Sequence, residues 1–367
     1  MNTDREPRAC SHCGQVLEVE RLVPFRDELL CPDCLDSQTV LCSHCGERIR
    51  ISENSGSDST PLCEDCYDDH YERCTNCNEL IRRRDTYYRE ENPYCYDCYT
   101  HLPAPGINDY YFKPAPVFYG TGKRFFGVEL EIDEAGECDS NAMSILRIAN
   151  TDSELAYCKH DGSLEDGFEI VTHPMTLDFH KNSMPWAKVM EQAKTLGYIS
   201  HQASTCGLHV HVNRTTFGAT ESEQEAAIAR VLYFFEKFWE ELLKFSRRTQ
   251  NQLDRWAARY GYKEKPKDIL DHAKGNNRAG RYTAVNLTNK DTVEFRMFRG
   301  TLKYNTLIAT LELLDNICEM AVYLSDRDMQ ELSWTSFVVG CTQPELVQYL
   351  KERRLYVNDA VTSEEDI

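Results

Sequence analysis

The chain has 367 residues, 41% of them hydrophobic, and carries 60 acidic against 41 basic side chains, a formal net charge of −19. This length can bury the cores of two or three domains, and the absence of any apolar run near ~20 residues argues against a membrane span. The N-terminus lacks an apolar leader, so a cytoplasmic protein is predicted, and the acidic charge argues against non-specific binding to nucleic acid, which needs a basic footprint.

The first hundred residues contain six CxxC pairs that recur with a period of 32 in the pattern C-x2-C-x17-C-x2-C. Two such pairs can supply four thiolates to one tetrahedral zinc ion. The pattern therefore predicts a domain at 1–100 with three zinc-ribbon or LIM-like units and about three structural zinc ions. Pairing within a unit is favoured, and pairing across units stays open. The predicted ligands are Cys10, Cys13, Cys31 and Cys34 in 10–34, Cys42, Cys45, Cys63 and Cys66 in 42–66, and Cys74, Cys77, Cys95 and Cys98 in 74–98.

The charge of this domain restricts its partners. Residues 1–100 hold 21 acidic side chains against 11 arginines and no lysine, a difference of −10. Nucleic acid is therefore a poor partner, and recruitment of a protein or simple structural support is favoured. The next segment, 101–122, holds four prolines and three glycines and is predicted to be a linker.

A larger domain is predicted over 123–358, followed by a tail at 359–367. Its first strand lies in FFGVELEID, where apolar side chains alternate with Glu129 and Glu131. Acids on one face of a strand make a candidate metal surface, although a solvated outer face is the favoured explanation for an isolated ELEID. The next segment, KHDGSLEDGFEIVTHP, predicts a DG turn and then a strand at 168–172 that carries Glu169.

Two later segments predict strands of the same kind. In STCGLHVHVN, Val210 and Val212 share one face, while His209, His211 and Asn213 share the other. Residues 276–301 predict two strands about the turn TNKD. In the second of them, the alternation places Glu294, Arg296 and Phe298 opposite Val293, Phe295 and Met297.

Apolar residues at helical spacing predict helices at 176–196, 220–247, 304–326 and 343–352. The helix at 220–247 is expected to begin with a capping box formed by Thr220 and Glu223. Strands with one polar face and helices between them predict an α+β fold, in which an antiparallel sheet packs on helices at its apolar face.

Four segments in this order, FGVELEI, DGSLEDGFEIVTHP, GLHVHVN and TVEFRMFRGT, resemble the amidoligase family within the glutamine synthetase and glutamate–cysteine ligase superfamily. The resemblance covers roughly 123–325, and the zinc units lie outside it. It implies a curved antiparallel sheet whose concave face binds ATP with divalent ions and joins a carboxylate to an amine.

The resemblance also implies roles for single residues. Arg296 matches a phosphate-binding arginine, and Arg281 and Arg299 are extrapolated as further ATP-binding arginines, with Arg278 as an alternative to Arg281. His211 is expected to face the acyl substrate and to act in catalysis, and Asp161, Ser163 and Asn213 are expected near the substrate. No clear counterpart of the base that deprotonates the amine is found. The predicted Mg²⁺ ligands are Glu129, Glu131, Glu169, His209 and Glu294.

Three functions follow as hypotheses. The first is an ATP- and Mg²⁺-dependent carboxylate–amine ligase whose zinc units recruit a protein or peptide substrate. The second is a non-catalytic adaptor in which the zinc units bind a partner and the ligase-like body is a scaffold. The third is a metal-dependent hydrolase that uses His209, His211 and Glu169 around zinc; the missing HExxH-type helix argues against it.

Overall fold

The computed structural model describes residues 6–89, 91–102, 105–275 and 281–356. The chain divides into two compact units, Met1–Ala104 and Pro105–Ile367. None of the helices in the described ranges is long and apolar enough to cross a membrane. The predicted tail at 359–367 and the alternative residue Arg278 lie outside the described residues.

The first unit consists of short antiparallel hairpins and three small helices, repeated with the cysteines. Each helix begins directly after a cysteine of the second CxxC pair, at the N-caps Cys31, Cys63 and Cys95. Backbone N–H groups at each helix start lower the pKa of these thiols, but burial and the neighbouring cysteines outweigh this effect and raise it when no metal is bound. The elements are β1 (Arg8–Ala9), β2 (Val16–Leu17), β3 (Val23–Phe25), β4 (Glu28–Leu30), α1 (Pro32–Gln38), β5 (Thr39–Leu41), β6 (Arg48–Arg50), α2 (Glu64–His70), β7 (Tyr71–Arg73), β8 (Leu80–Arg82), β9 (Tyr87–Arg89), β10 (Asn92–Tyr94) and α3 (Tyr96–Thr100).

Side chains join consecutive zinc units to one another. The Arg26 guanidinium donates to both carboxylate oxygens of Glu53, at 2.7 and 2.8 Å, and so connects the first unit to the second. The second and third units meet where Arg73 donates to the carbonyl oxygen of Gly56 at 2.6 Å. Each zinc unit therefore contacts the next one directly.

The larger compact unit, Pro105–Ile367, contains a seven-stranded sheet in its described part. The strand order is β11-β13-β14-β12-β15-β17-β16. Neighbouring strands are antiparallel except at one edge, where β11 runs parallel to β13. The strands are β11 (Ile107–Asn108), β12 (Phe126–Ile132), β13 (Ala156–Lys159), β14 (Phe168–Thr172), β15 (Gly207–Asn213), β16 (Val285–Asn286) and β17 (Thr292–Arg299).

Strand β11 lies inside the segment predicted to be a linker. The backbone of His160 donates to the carbonyl of Asn108, and the Asn108 amide side chain donates to the carbonyl of Cys158 at 2.9 Å. The linker prediction is therefore wrong for Ile107–Asn108, because these hydrogen bonds make a proline-rich segment the edge of the sheet.

Helices cover the apolar face of the sheet, where Phe126, Val128, Leu130 and Ile132 are fully buried. The apolar side chains of α7 and α11 belong to the same core. The helices are α4 (Asp139–Ala149), α5 (Leu177–Asn182), α6 (Trp186–Thr195), α7 (Glu221–Lys237), α8 (Trp239–Ser246), α9 (Gln250–Trp256), α10 (Pro266–Gly275), α11 (Tyr304–Tyr323), α12 (Asp326–Glu331), α13 (Trp334–Gly340) and α14 (Pro344–Glu352).

Two predicted helices are each divided in the structure. The helix predicted at 176–196 is interrupted at Pro185, which lacks the N–H that a continuous helix needs. The helix predicted at 220–247 breaks at Phe238, whose backbone angles of −108° and 35° are not helical. The predicted capping box at its start is confirmed by the reciprocal bonds between Thr220 and Glu223.

Candidate functional site

The polar side chains of the central strands share the face of the sheet opposite the core. Strand register places Glu129 opposite His209 and Glu131 opposite Glu169. His211 lies opposite Glu294 on the next strand pair. Because residues paired across antiparallel strands project from the same face, the four predicted polar strands form one continuous surface.

One group of possible metal ligands forms around Glu129, His211 and Glu294. One ligand atom from each lies within 4.8 Å of the others. His211 Nε2 is 3.1 Å from Glu129 Oε1 and 4.0 Å from Glu294 Oε1, yet it is buried and forms no well-directed hydrogen bond among the described residues. A ring nitrogen that lies 3.1 Å and 4.0 Å from two carboxylates without a well-directed hydrogen bond suits a shared cation.

His209 occupies a different place from His211. Its Nδ1 is 3.3 Å from Glu129 Oε2, and its Nε2 is 3.6 Å from Glu131 Oε1. The ring therefore lies between the two acids of β12. Glu131 in turn accepts a hydrogen bond from the backbone N–H of Gly207.

A second group of possible ligands contains Glu131, Asp161 and Glu169, again with one atom of each within 4.8 Å of the others. Glu169 also pairs with Lys159, whose Nζ lies 3.0 Å from its Oε1. The Asp161 carboxylate accepts from the Ser163 backbone N–H at 2.7 Å and from its hydroxyl at 2.5 Å. The DG turn thus brings Asp161 beside the strand acids, and the Ser163 hydroxyl is directed at Asp161.

The two groups differ in charge. Burial opposes ionisation of Glu129, but the positive charges of His211 and His209 outweigh it and hold the pKa of Glu129 well below its usual range. Burial, followed by the neighbouring charge of Glu129, raises the pKa of Glu169 well above its usual range despite Lys159. In the absence of a cation, negative charge on the polar face of the sheet is therefore favoured at Glu129 and disfavoured at Glu169.

The predicted arginines separate into two places. Arg296 forms an ion pair with Glu294, and its guanidinium lies 6.0 Å from the ring centroid of Tyr282. Arg281 contacts the same ring at 5.3 Å and donates to the Tyr110 hydroxyl at 2.5 Å. Arg281 and Arg296 thus both approach the Tyr282 ring, and Arg296 alone pairs with Glu294.

Arg299 instead lines a cavity near the end of β17. The register between β15 and β17 shifts between Leu208 and Val210, because Leu208 pairs with Phe298 and Val210 pairs with Phe295. This bulge places Phe298 in the core with Met297, so the predicted alternation is wrong at Phe298. The same shift moves Arg299 to the polar side.

Asn213 has a structural set of partners. Its side-chain oxygen accepts from the backbone N–H of Phe125 at 2.8 Å, and its amide nitrogen donates to the carbonyl of Lys123 and the hydroxyl of Thr215. These bonds hold the end of β15 against the segment that leads into β12.

Several residues of the site were not predicted. Asn286 and Asn289 donate to Glu294 Oε2 at 2.7 and 3.1 Å, and thereby fix that carboxylate. The alternation in AYCKHDG, which places Lys159 two residues before Asp161, could have identified Lys159. Arg248 gives no signal in the sequence. Its guanidinium lies 2.7 Å from the position that a Cβ on Gly207 would occupy, and that position is also 2.7 Å from His209 Nε2.

The cysteines of the first unit form three groups of four, and each group lies within one repeat. The inner sulfur atoms of the two CxxC pairs, Cys13 and Cys31, Cys45 and Cys63, and Cys77 and Cys95, are 3.8, 3.9 and 3.8 Å apart. Thiolates about 2.3 Å from one tetrahedral zinc ion are separated by nearly this distance. The predicted repeats therefore form three zinc-type sites, with ligands paired within each unit.

Part of the larger unit Pro105–Ile367, called the body below, is similar to a known protein family. Residues 147–318 match the family described as "Putative amidoligase enzyme". The matched range includes Glu169, His209, His211 and Glu294 but not the first strand with Glu129 and Glu131. No curated protein sequence matches the chain.

Among solved structures, the complex between the prokaryotic ubiquitin-like protein Pup and its ligase PafA is similar at 11% identity and a TM-score of 0.30. The alignment covers 63% of this chain and 56% of the solved chain, so this protein spans little more than half of that relative. The resemblance seen in the sequence motifs is confirmed over residues 147–318, where the body of this chain is similar to the amidoligase family, a match that supports a carboxylate–amine ligase.

Proposed function

We propose that the body is an ATP- and Mg²⁺-dependent ligase that forms an amide or isopeptide bond between a carboxylate and an amine. The observation that carries this proposal is the convergence of two acid groups on one face of the sheet. Two residues on the same face of β12 contribute to them, since Glu129 belongs to the first group and Glu131 to the second. The groups are therefore close enough to act on one polyphosphate.

The donor types suit Mg²⁺, which prefers oxygen ligands and often bridges a protein carboxylate and a phosphate. Glu129, Glu294 and His211 would hold one cation, and the second group, Glu131, Asp161 and Glu169, would hold another. When bound, such cations neutralise charge on the phosphoryl oxygens. The geometry favours His211 for the first group, whereas the family resemblance points to His209, which lies between the two groups.

The proposed reaction has two steps. A carboxylate oxygen of the acid substrate attacks the γ-phosphorus of ATP, ADP leaves, and an acyl phosphate results. The nitrogen of the amine then attacks the acyl carbon, inorganic phosphate leaves, and the amine loses a proton. Arg296 and Arg281 would donate hydrogen bonds to phosphate oxygens, because guanidinium groups match that geometry.

The zinc units are proposed to recruit a protein or peptide substrate. They carry a net charge of −10 over 1–100 before thiolates are counted, and their direct contacts make them a continuous surface. A basic partner suits this charge better than an acidic one.

The competing adaptor hypothesis is tested by removing one carboxylate of the first group. We expect Glu129→Ala and Glu294→Ala each to lower ATP turnover by on the order of 100-fold or more, because the site loses an oxygen ligand. Zinc content and thermal unfolding should stay close to those of the unchanged protein. Glu191→Ala is the matched control, since the Glu191 side chain is 70% exposed on α6 and pairs with Lys194 of the same helix.

Turnover that is unchanged in both variants, or absent from the unchanged protein under all substrate mixtures, would favour the adaptor. Substrates can be sought by incubation with ATP, Mg²⁺ and cell extract, followed by mass spectrometry for a product lighter by one water than its two precursors. The hydrolase hypothesis requires His209, His211 and Glu169 around one ion. In the structure, Glu169 groups with Glu131 and Asp161 and pairs with Lys159.

A further inference from the structure

A cavity of about 600 Å³ in the body has a strongly cationic lining. The basic side chains that line it are Lys244, Arg247, Arg248, Arg299 and Arg353, and the one acidic lining residue is Glu240. They come from the α8 end, from the segment that follows it, from the last residue of β17 and from the residue after α14. Segments distant in sequence thus bring five positive charges and one negative charge to one place.

None of these five side chains forms an ion pair within the described ranges, although the charges of Glu131 and Glu352 act on Arg248 and Arg353. The arginines bond instead to backbone carbonyls: Arg353 donates to Lys244 O at 2.8 Å, Arg248 donates to Phe298 O at 3.3 Å, and Arg299 donates to Arg247 O at 3.4 Å. Clustered like charges repel, and their partial removal from water, complete only for Arg248, costs free energy without a counter-charge. An arrangement of this kind is stabilised when an anion enters.

Two buried polar atoms in the same region lack hydrogen-bond partners among the described residues. Arg299 Nε is buried and forms no hydrogen bond with the described residues. The hydroxyl of Thr306, a residue 5% exposed, is also buried without a partner there, and it lines a small inner cavity of about 10 Å³. That volume is near the size that one water occupies, and Arg299 lines both cavities.

The environment of His201 supports the same interpretation. His201 lines the cavity, and burial followed by the charges of Arg247, Arg299 and Arg353 lowers its pKa to about 4. The imidazole is therefore neutral near pH 7 and adds a hydrogen-bond donor without adding charge.

The cavity adjoins the acid face but differs from it in charge. Arg248 lines the cavity, and its guanidinium approaches the same point beside Gly207 as the His209 ring and the Glu131 carboxylate. A molecule held near Glu131 could therefore extend a charged group into the cavity past Arg248.

We propose that this cavity is an oxyanion site that binds a group with two or more negative charges through guanidinium and ammonium donors, without a metal ion. Arginine pairs phosphate and carboxylate oxygens well, and either a phosphate of the nucleotide or a carboxylate group of the acid substrate has this chemistry. Anion binding at this site does not require the proposed ligase function, but its assignment to a nucleotide phosphate or to the acid substrate rests on that function.

The test measures binding of inorganic phosphate to the full chain by isothermal titration calorimetry, without ATP or Mg²⁺. We expect saturable binding to one site, weakened by on the order of tenfold in Lys244→Gln and in Arg353→Gln, because each loses a charge-assisted hydrogen bond. Arg327→Gln is the matched control, since the Arg327 side chain is 82% exposed on α12. Thermal unfolding of each variant shows that the fold is kept.

Binding that is absent, or equal in all three variants, would overturn the proposal. If the site is real, competition identifies its natural anion: displacement of phosphate by ADP in the presence of a chelator assigns a nucleotide phosphate, and displacement by succinate assigns a carboxylate group. Glu129→Ala should leave phosphate binding intact. A failure of the ligase proposal is therefore distinguishable from a failure of the oxyanion site.

Discussion

Glu294 and His211 lie directly opposite each other on β17 and β15, with His211 Nε2 4.0 Å from Glu294 Oε1 and 3.1 Å from Glu129 Oε1. His211 is thus the imidazole that points between two carboxylates on separate strands. His209, two residues earlier on β15, points toward Glu129 and Glu131 of β12 instead.

This arrangement predicts unequal effects of the two histidines on cation binding. His211→Ala should weaken Mn²⁺ binding, measured by electron paramagnetic resonance with Mn²⁺ in place of Mg²⁺, by on the order of 10- to 100-fold. His209→Ala should have a smaller effect, since its nitrogen atoms are placed outside the first ligand group. The opposite order of effects would restore His209 as the ligand, as the family resemblance implies.

The zinc units predict a fixed metal content. Analysis of the purified chain should return about three zinc ions, because each unit groups four thiolates. Cys34→Ser should remove about one of them and leave the other two. Cys138→Ala, which removes a thiol outside the repeats, is the control and should change nothing. One zinc ion or none in the unchanged protein would contradict the assignment of three sites.

Gly207 is predicted to be essential for the alignment of the site. A Cβ at this position would lie 2.7 Å from both Arg248 and His209, and 3.3 Å from Glu131 Oε2. Gly207→Ala should therefore displace these side chains and lower ATP turnover by on the order of tenfold or more, because positions in a site matter at the 1 Å scale.

The movable guanidinium and ring can give way, so the free energy of unfolding should fall by only about 1 kcal/mol, less than in a disrupted core. Gly340→Ala is the control, because a Cβ there meets no atom within 4 Å. Full activity in Gly207→Ala would show that the close approach has no functional meaning.

His180 predicts how stability depends on pH. Its ring is fully buried, with Nε2 2.9 Å from the carbonyl of Phe126 and Nδ1 3.2 Å from the indole nitrogen of Trp186. Burial lowers its pKa from 6.5 to about 4. The unfolded chain therefore binds a proton at a higher pH than the folded chain, and stability is lost as pH falls from about 6.5 toward 4.

The total contribution is on the order of 3 kcal/mol, since one pKa unit corresponds to about 1.4 kcal/mol. Urea unfolding at several pH values should show a steeper decline between pH 6.5 and 5 in the unchanged protein than in His180→Asn. The comparison concerns the slopes, because the variant also loses packing. Equal slopes would mean that the folded and unfolded forms of His180 titrate alike.

The strand pattern could be predicted because alternation is local. Val210 and Val212 on one side and His209 and His211 on the other require only that β15 is extended, and the structure has this arrangement. The grouping of His211 with Glu294 could not be predicted this way, because the alternation does not specify which residues of two strands stand opposite each other.

Other parts depend on contacts between distant segments. Arg299 reaches the polar side only because of the bulge in β17, and nothing in TVEFRMFRGT marks that extra residue. Arg248 follows a helix end and enters the site through tertiary packing. The two helix breaks differ in whether the local sequence predicts them. Pro185 lacks the N–H that a helix needs, whereas nothing in the sequence around Phe238 marks a break.

The bond between Arg26 and Glu53 has a consequence for recognition. A ligand long enough to cover two zinc units meets modules that already contact each other through this pair, so part of the ordering entropy of flexibly joined modules is not lost on association. The zinc units would then select partners by the distance between their contact points as much as by their chemistry.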